Sequence, residues 1–219
     1  MKTAKNRAKA PSKQAVARQH SYHHGDLHDA LLKAAETVLE RDGVQGLTLR
    51  AAAREAGVSH AAPTHHFGDM TGLLSELAAV GFLRFGAALR DAASRQTSAH
   101  ARLDAMGMAY VAFARKYPHL FMLMFRSERL DFSRPALHEA MTESNAALAG
   151  GVGEYRGEAV TPNHPTLGQA AEMVRAWSMV HGFAVLLLDH RLDRFLEMMP
   201  GGNPEGLLKA VLRGPSSSK

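Results

Sequence analysis

Two features could carry chemistry in this 219-residue chain: thirteen histidines, and a run of small residues around Gly57. His23 and His24 are adjacent, His65 and His66 are adjacent, and His28 follows His24 by four residues. That last spacing can chelate a metal when both residues lie on one helix. The helical pattern is expected to begin after Gly25 and Asp26, leaving His24 ahead of it, so no metal site is expected. The chain has no cysteine. Disulfides, cysteine-ligated zinc, iron–sulfur clusters and a thiol nucleophile are therefore excluded, and a reducing, cytoplasmic setting fits. No hydrolytic triad, glycine-rich phosphate loop or carboxylate pair stands at a characteristic spacing, so neither an enzyme nor a cofactor is expected.

The run at residues 52–59 has a more specific physics. Two short helices can cross closely if the first carries a small residue at the contact, here Ala53. Four residues later the backbone must tolerate positive φ, here at Gly57. Val58 then fills the angle between the helices, and Ser59 is placed to cap the second. This is a helix-turn-helix pattern, whose second helix would lie in the DNA major groove. The residues expected at DNA are Thr48, Arg50, Ser59, His60, Ala61, Ala62, Thr64, His65 and His66. Thr48 opens the first helix and makes an anion seat there. Arg50 and Arg54 suit the phosphate backbone. Residues 60–66 contain no Arg, Lys, Asn or Gln, so the strongest bidentate base readers are missing. Phosphate contacts and DNA shape must then contribute much of the affinity. Leu49 and Phe67 are expected in the core.

These positions need helices around them, and composition points the same way. There are thirty-seven Ala, twelve Val and no Ile, which favours an all-α fold. Leu27, Ala30, Leu31, Ala34, Ala35, Val38 and Leu39 recur on one helix face, and Gly43 stops that helix. Further helices are expected at 49–56, 60–67 and 70–94, the last capped by Asp69. Others follow at 99–116, at 119–126 and from 135 to the glycines at 150–151. A long apolar helix is expected from 166 to about 190 with Thr166 as its cap, and a last one from 203 behind Asn203. A turn or two of helix is expected at 192–199. The longest uninterrupted apolar run, near 183–188, is too short to cross a bilayer, and no membrane partner is expected.

Net charge is +5, concentrated at one end. Residues 1–22 hold Lys2, Lys5, Arg7, Lys9, Lys13 and Arg18 with no acid, and read as a flexible basic arm. The expected organisation is this arm, a DNA-binding head at 23–70, a helical regulatory and dimerisation domain at 71–213, and a disordered tail at 214–219. In the regulatory part, Met106, Phe113, Phe121, Met124, Met173, Trp177 and His181 are the expected ligand contacts, because methionines and aromatics suit an apolar or aromatic guest. His181 reads first as a packed, hydrogen-bonded core histidine, with Gly182 allowing close helix approach, and a place on the ligand wall is the sharper alternative. Leu186, Leu187 and Leu188 cannot all face one core, so the late helix is assigned in part to a two-fold interface.

The segments Tyr22-His23-His24-Gly25-Asp26-Leu27, Gly46-Leu47-Thr48-Leu49-Arg50, Ala56-Gly57-Val58-Ser59 and His66-Phe67 together resemble the TetR family of transcriptional regulators. Trp177, His181 and Gly182 resemble the Trp-His-Gly (WHG) mark of one subgroup's C-terminal domain. The resemblance implies an all-α homodimeric repressor, bound to a palindromic operator and released by a small-molecule effector. The chain departs from the family at Thr64, where Tyr is common, at Met70, where Lys commonly touches phosphate, and at Ala52, where a larger aliphatic residue is common. The other readings are a non-specific nucleic-acid-binding protein using the basic arm, and a helical small-molecule-binding protein without operator specificity.

Overall fold

The computed structural model describes residues 13–161 and 164–213. Among them are ten α-helices and one 3-10 turn, and no strand. Helices α1 (Lys13–Gly46), α2 (Leu49–Glu55) and α3 (Ala62–Phe67) form the head. Helix α4 (Met70–Ser94) leaves it and becomes the central rod of the second domain, packed chiefly against α5 (Ala99–Lys116) and α7 (Pro135–Arg156). Helices α6 (Pro118–Met124), α8 (Leu167–Leu188), α9 (Asp193–Met198) and α10 (Pro204–Arg213) complete it.

Residues 1–12 of the expected arm and the expected tail at 214–219 lie outside the described residues. The backbone is helical from Lys13, so the second half of the stretch expected as an arm is helix, and Gly25 falls inside it. His24 therefore sits one helical turn before His28. Among the described residues no group of three or more His, Asp or Glu is arranged to hold a metal.

The apolar face of α1 buries Leu31, Ala34, Ala35, Val38 and Leu39, while Ala30 is exposed. Gly43 breaks the helix with φ 69° and ψ 178°. Asp69 caps α4 by accepting the Gly72 N–H at 2.8 Å. Thr166 and Gln169 form a reciprocal capping box at α8. Asn203 caps α10, accepting the Gly206 N–H at 2.7 Å.

Helix α7 does not stop at Gly150 and Gly151 but runs on to Arg156, with Gly157 taking the left-handed stop (φ 69°). The reason is packing. A Cβ on Gly151 would stand 2.6 Å from Met106 Sδ, so this glycine lets α5 and α7 approach rather than ending a helix.

Two helices, α4 and α8, are long and apolar enough to cross a membrane by length and composition alone, though charged residues interrupt the apolar run in each. In α4 the apolar window is 67% buried, as befits a core rod. In α8 it is 17% buried. Leu167 is 89% exposed, and Val174 and Leu186 are also exposed. Gly182 has open space where a Cβ would be, so within this chain it permits no close helix approach.

Candidate functional site

The head is built around a tight joint. Thr48 caps α2, its hydroxyl oxygen accepting the Ala51 N–H at 3.0 Å. At the other end of α2 the Gly57 N–H donates to Arg54 O at 3.2 Å, and the Val58 N–H donates back to Ala53 O at 3.0 Å. This paired closure requires a left-handed residue, and Gly57 has φ 68°. Ala53 is fully buried in the angle.

The next helix starts later than expected. Ser59 does not cap it through its side chain, and α3 begins at Ala62 behind Ala61. The cause is Pro63. With Ser59 as cap, the first helical bond would come from the amide of residue 63, and proline has none. The Ala62 N–H closes a tighter turn onto Ser59 O at 3.1 Å instead, and the His65 N–H to Ala61 O bond starts the α register.

Thr48, Arg50, Ser59, His60, Ala61, Thr64 and His65 are exposed, and Ala62 is half-buried. Arg50 makes no ion pair among the described residues, so its charge stands available to an anion. His66 is different: it is half-buried, with its ring 5.9 Å from His28 and 6.2 Å from Phe67. It lies on the packed side of α3 beside the fully buried Phe67. Met70 is partly buried against the core, whereas the family's usual lysine would present a charge here.

The second site is a cavity of about 300 Å³ between α5, α7, α8 and α10. Its apolar wall includes Leu103, Met106, Leu148, Val152 and Met179. Glu172, Arg175, His100 and Asp104 add polar groups. A groove of about 590 Å³ on the other side of α10 is wider but more open. Of the residues expected at a ligand, Met106 lines the cavity. Phe121 and Met124 are fully buried in the core, Phe113 is buried there too, and Met173, Trp177 and His181 are not among its walls. Helical spacing marks a residue as inward-facing, but it does not say whether the space inside is filled.

Phe121, Trp177 and His181 belong to a packed aromatic cluster. Tyr110, from α5, is its hinge. Its ring stands edge-on to Phe85 at 4.8 Å and to Phe121 at 5.7 Å. Trp177 Nε1–H donates to Tyr110 Oη at 3.1 Å. Tyr110 Oη lies 2.8 Å from His181 Nδ1. An indole N–H can only donate, so the phenol oxygen accepts it; with the phenol proton given to Nδ1, the proton of neutral His181 sits on Nε2. Burial lowers the His181 pKa and raises that of Tyr110, so both neutral forms are favoured. Trp177 and His181, one turn apart, thus tie α8 to α5.

Two of the cavity residues that the sequence pattern misses lie where it misplaces the end of a helix, while others, such as Leu103, Leu148 and Val180, lie inside helices it places correctly. Val152 and Tyr155 line the cavity because α7 continues past its glycines. Gly107, facing Leu212 of α10, and Gly151, facing Met106, are the available signals of close crossings.

Residues 31–77 match the family described as bacterial regulatory proteins, tetR family, and residues 103–202 match the tetracyclin repressor-like C-terminal domain. No curated protein matches the chain. A solved protein of unknown function from Rhodococcus sp. RHA1 is 36% identical, with 88% of this chain and 96% of that one covered and a TM-score of 0.68. The TetR family transcriptional regulator PfmR from Thermus thermophilus shares the fold at 17% identity, covering 86% and 96% of the two chains with a TM-score of 0.57. A TetR family regulator from Marinobacter aquaeolei does so at 16% identity, 90% and 95% coverage and a TM-score of 0.56. With its head and its larger domain both matched, the chain belongs to the TetR family of transcriptional regulators, combining a DNA-binding head with a ligand-binding domain.

Proposed function

We propose that this regulator is a homodimeric, cytoplasmic repressor that holds a palindromic operator and releases it when an apolar or aromatic molecule enters the cavity between α5, α7, α8 and α10. The observation that carries the DNA side is the α2–α3 joint. It is closed at Gly57 and capped at Thr48, and it leaves Arg50, Ser59, His60, Thr64 and His65 exposed. Thr48 Oγ1 accepts from Ala51, so its O–H remains to donate to phosphate. With no bidentate base reader in α3, affinity rests on backbone contacts and groove shape. The apolar walls of the cavity support the effector class, at a volume suited to a compact guest. The exposed Leu167, Val174 and Leu186 of α8 support a two-fold partner there.

The test is fluorescence anisotropy of the full chain on DNA from upstream of its own coding region and on random DNA, across a salt series. Preference for the upstream DNA that persists at moderate salt supports the operator reading. Equal, salt-sensitive binding to both sinks it in favour of a charge-driven, non-specific binder. Sedimentation of wild type and Leu186→Glu tests the dimer: a monomeric wild type refutes it.

A further inference from the structure

The recognition helix is held at its far end by the regulatory domain. Arg134, the residue just before α7, sends Nη2 to Phe67 O, the last carbonyl of α3, at 2.8 Å. Its Nη1 donates to Glu76 Oε1 of α4 at 3.3 Å. The other oxygen of Glu76 accepts from His28 Nε2 of α1 at 2.8 Å. The His28 ring packs 5.1 Å from that of Phe67. One guanidinium therefore joins α7, α4 and α3, and through Glu76 it reaches α1. Arg134 and Glu76 are both mostly buried, 31% and 20% exposed, so solvent screens them less than a surface pair.

The local sequence is arranged around this contact. A Cβ on Gly72 would overlap both the Phe67 carbonyl and the Arg134 guanidinium, so glycine is required for the arginine to pass. The Ser75 hydroxyl is buried and accepts the Asp131 N–H at 2.9 Å, fixing the loop that presents Arg134. A cation at a helix C-terminus also meets the negative end of its dipole. Toward its other end α7 supplies Leu148 and Val152 to the cavity, about 21 and 27 Å along the helix from Arg134 at roughly 1.5 Å per residue.

We propose that Arg134 is the positioning residue by which the regulatory domain holds the C-terminal end of the recognition helix, and that movement of α7 reaches the DNA-binding surface through it. This rests on α3 being the recognition helix. It does not depend on which molecule fills the cavity.

The test compares full-length wild type, Arg134→Met, Arg134→Lys and Glu76→Gln. The DNA is a duplex selected by the wild type from a random pool. Arg134→Met weakens binding roughly tenfold, which is about 1.4 kcal/mol, with the salt slope unchanged. Amides of residues 65–68 exchange at least about tenfold faster, while those of α5 and α8 do not change. Arg134→Lys restores part of both effects, and Glu76→Gln falls between. Unchanged affinity and exchange overturn the proposal. So does a slope reduced by about 0.9 with α3 exchange unchanged, because Arg134 would then be a phosphate contact itself. Equal acceleration of exchange in every helix overturns it too, as a merely structural role. If the wild type selects no sequence, the operator reading fails, and the exchange measurement still decides whether Arg134 holds α3.

Discussion

Replacing Tyr110 with Phe isolates one oxygen at the centre of the regulatory domain. The phenylalanine ring keeps the edge-on contacts with Phe85 and Phe121, and no cavity opens, so the packing contribution cancels. Two hydrogen bonds are lost, from Trp177 Nε1 and to His181 Nδ1. Each contributes about 0.5–1.5 kcal/mol net. The penalty for stranded partners is limited, because Trp177 is 42% exposed and His181 is only partly buried, so water can reach both. The expected loss is therefore about 2 kcal/mol, the middle of the two-bond range. For a chain of this size it lowers Tm by about 4–8 °C at fixed protomer concentration. Urea unfolding followed by circular dichroism gives the free energy, and near-ultraviolet ellipticity follows Trp177 itself. A loss below about 0.5 kcal/mol would refute the reasoning, since the bridging oxygen would then not join α5 to α8. A second observable is nitrogen NMR of His181, where Nδ1 should carry no proton near neutral pH in the wild type.

Three further outcomes follow from single groups. Burial holds the His181 pKa below its ordinary value near 6.5, so the folded state binds this proton less readily than the unfolded one. The stability tied to this neutral imidazole is complete above about pH 6.5 and declines as pH falls from there toward the folded value. Unfolding titrations of wild type and His181→Gln should diverge in that acid window, and parallel curves would refute the assignment. Gly57→Ala should cost about 1–2 kcal/mol through positive φ alone, because nothing lies within 4 Å of the added Cβ, and Gly57→Asn should cost less. An equal cost for both variants would point to a steric cause instead. Asp69→Ala removes the cap of α4 and should cost about 1 kcal/mol, read by thermal unfolding, and a neutral variant would show that the Gly72 amide finds another acceptor.

The head is legible in the sequence because its determinants are local. Thr48, Gly57 and Asp69 each act within five residues, and each does in the structure what its type and position imply. Ser59 misleads for a reason also written locally, in the missing amide of Pro63. The C-terminal end of α7 and the walls of the cavity are not legible, because they depend on partners far along the chain. Gly151 reads as a helix stop until Met106, forty-five positions earlier, is seen against it. Phe121 and Met124 read as ligand contacts by type and face. Whether an inward side chain meets a guest or another side chain is decided by how completely α4, α5, α6 and α8 fill the space between them, and here they fill it. Arg134 gives no sequence signal at all, since its partners are a backbone carbonyl and a glutamate on other helices.

The head meets the regulatory domain at two separate ends, and that fixes how a domain movement can act. On one side Glu40 of α1 accepts the Leu120 N–H at 2.9 Å, placing a carboxylate at the N-terminus of α6. Arg84 of α4 also forks onto Glu36 of α1. On the other side Arg134 grips the end of α3. The first set fixes α1 to α4 and α6, the framework of the head. The second touches the recognition helix alone among these contacts. Removing charge at Glu40 should then destabilise the whole head, with α1 and α3 amides exchanging faster together, whereas removing Arg134 should loosen α3 against an intact α1. Hydrogen exchange on Glu40→Gln beside Arg134→Met distinguishes the two. A matching pattern in both variants would mean that the head moves as one piece, and that the recognition helix has no separate tether to the regulatory domain.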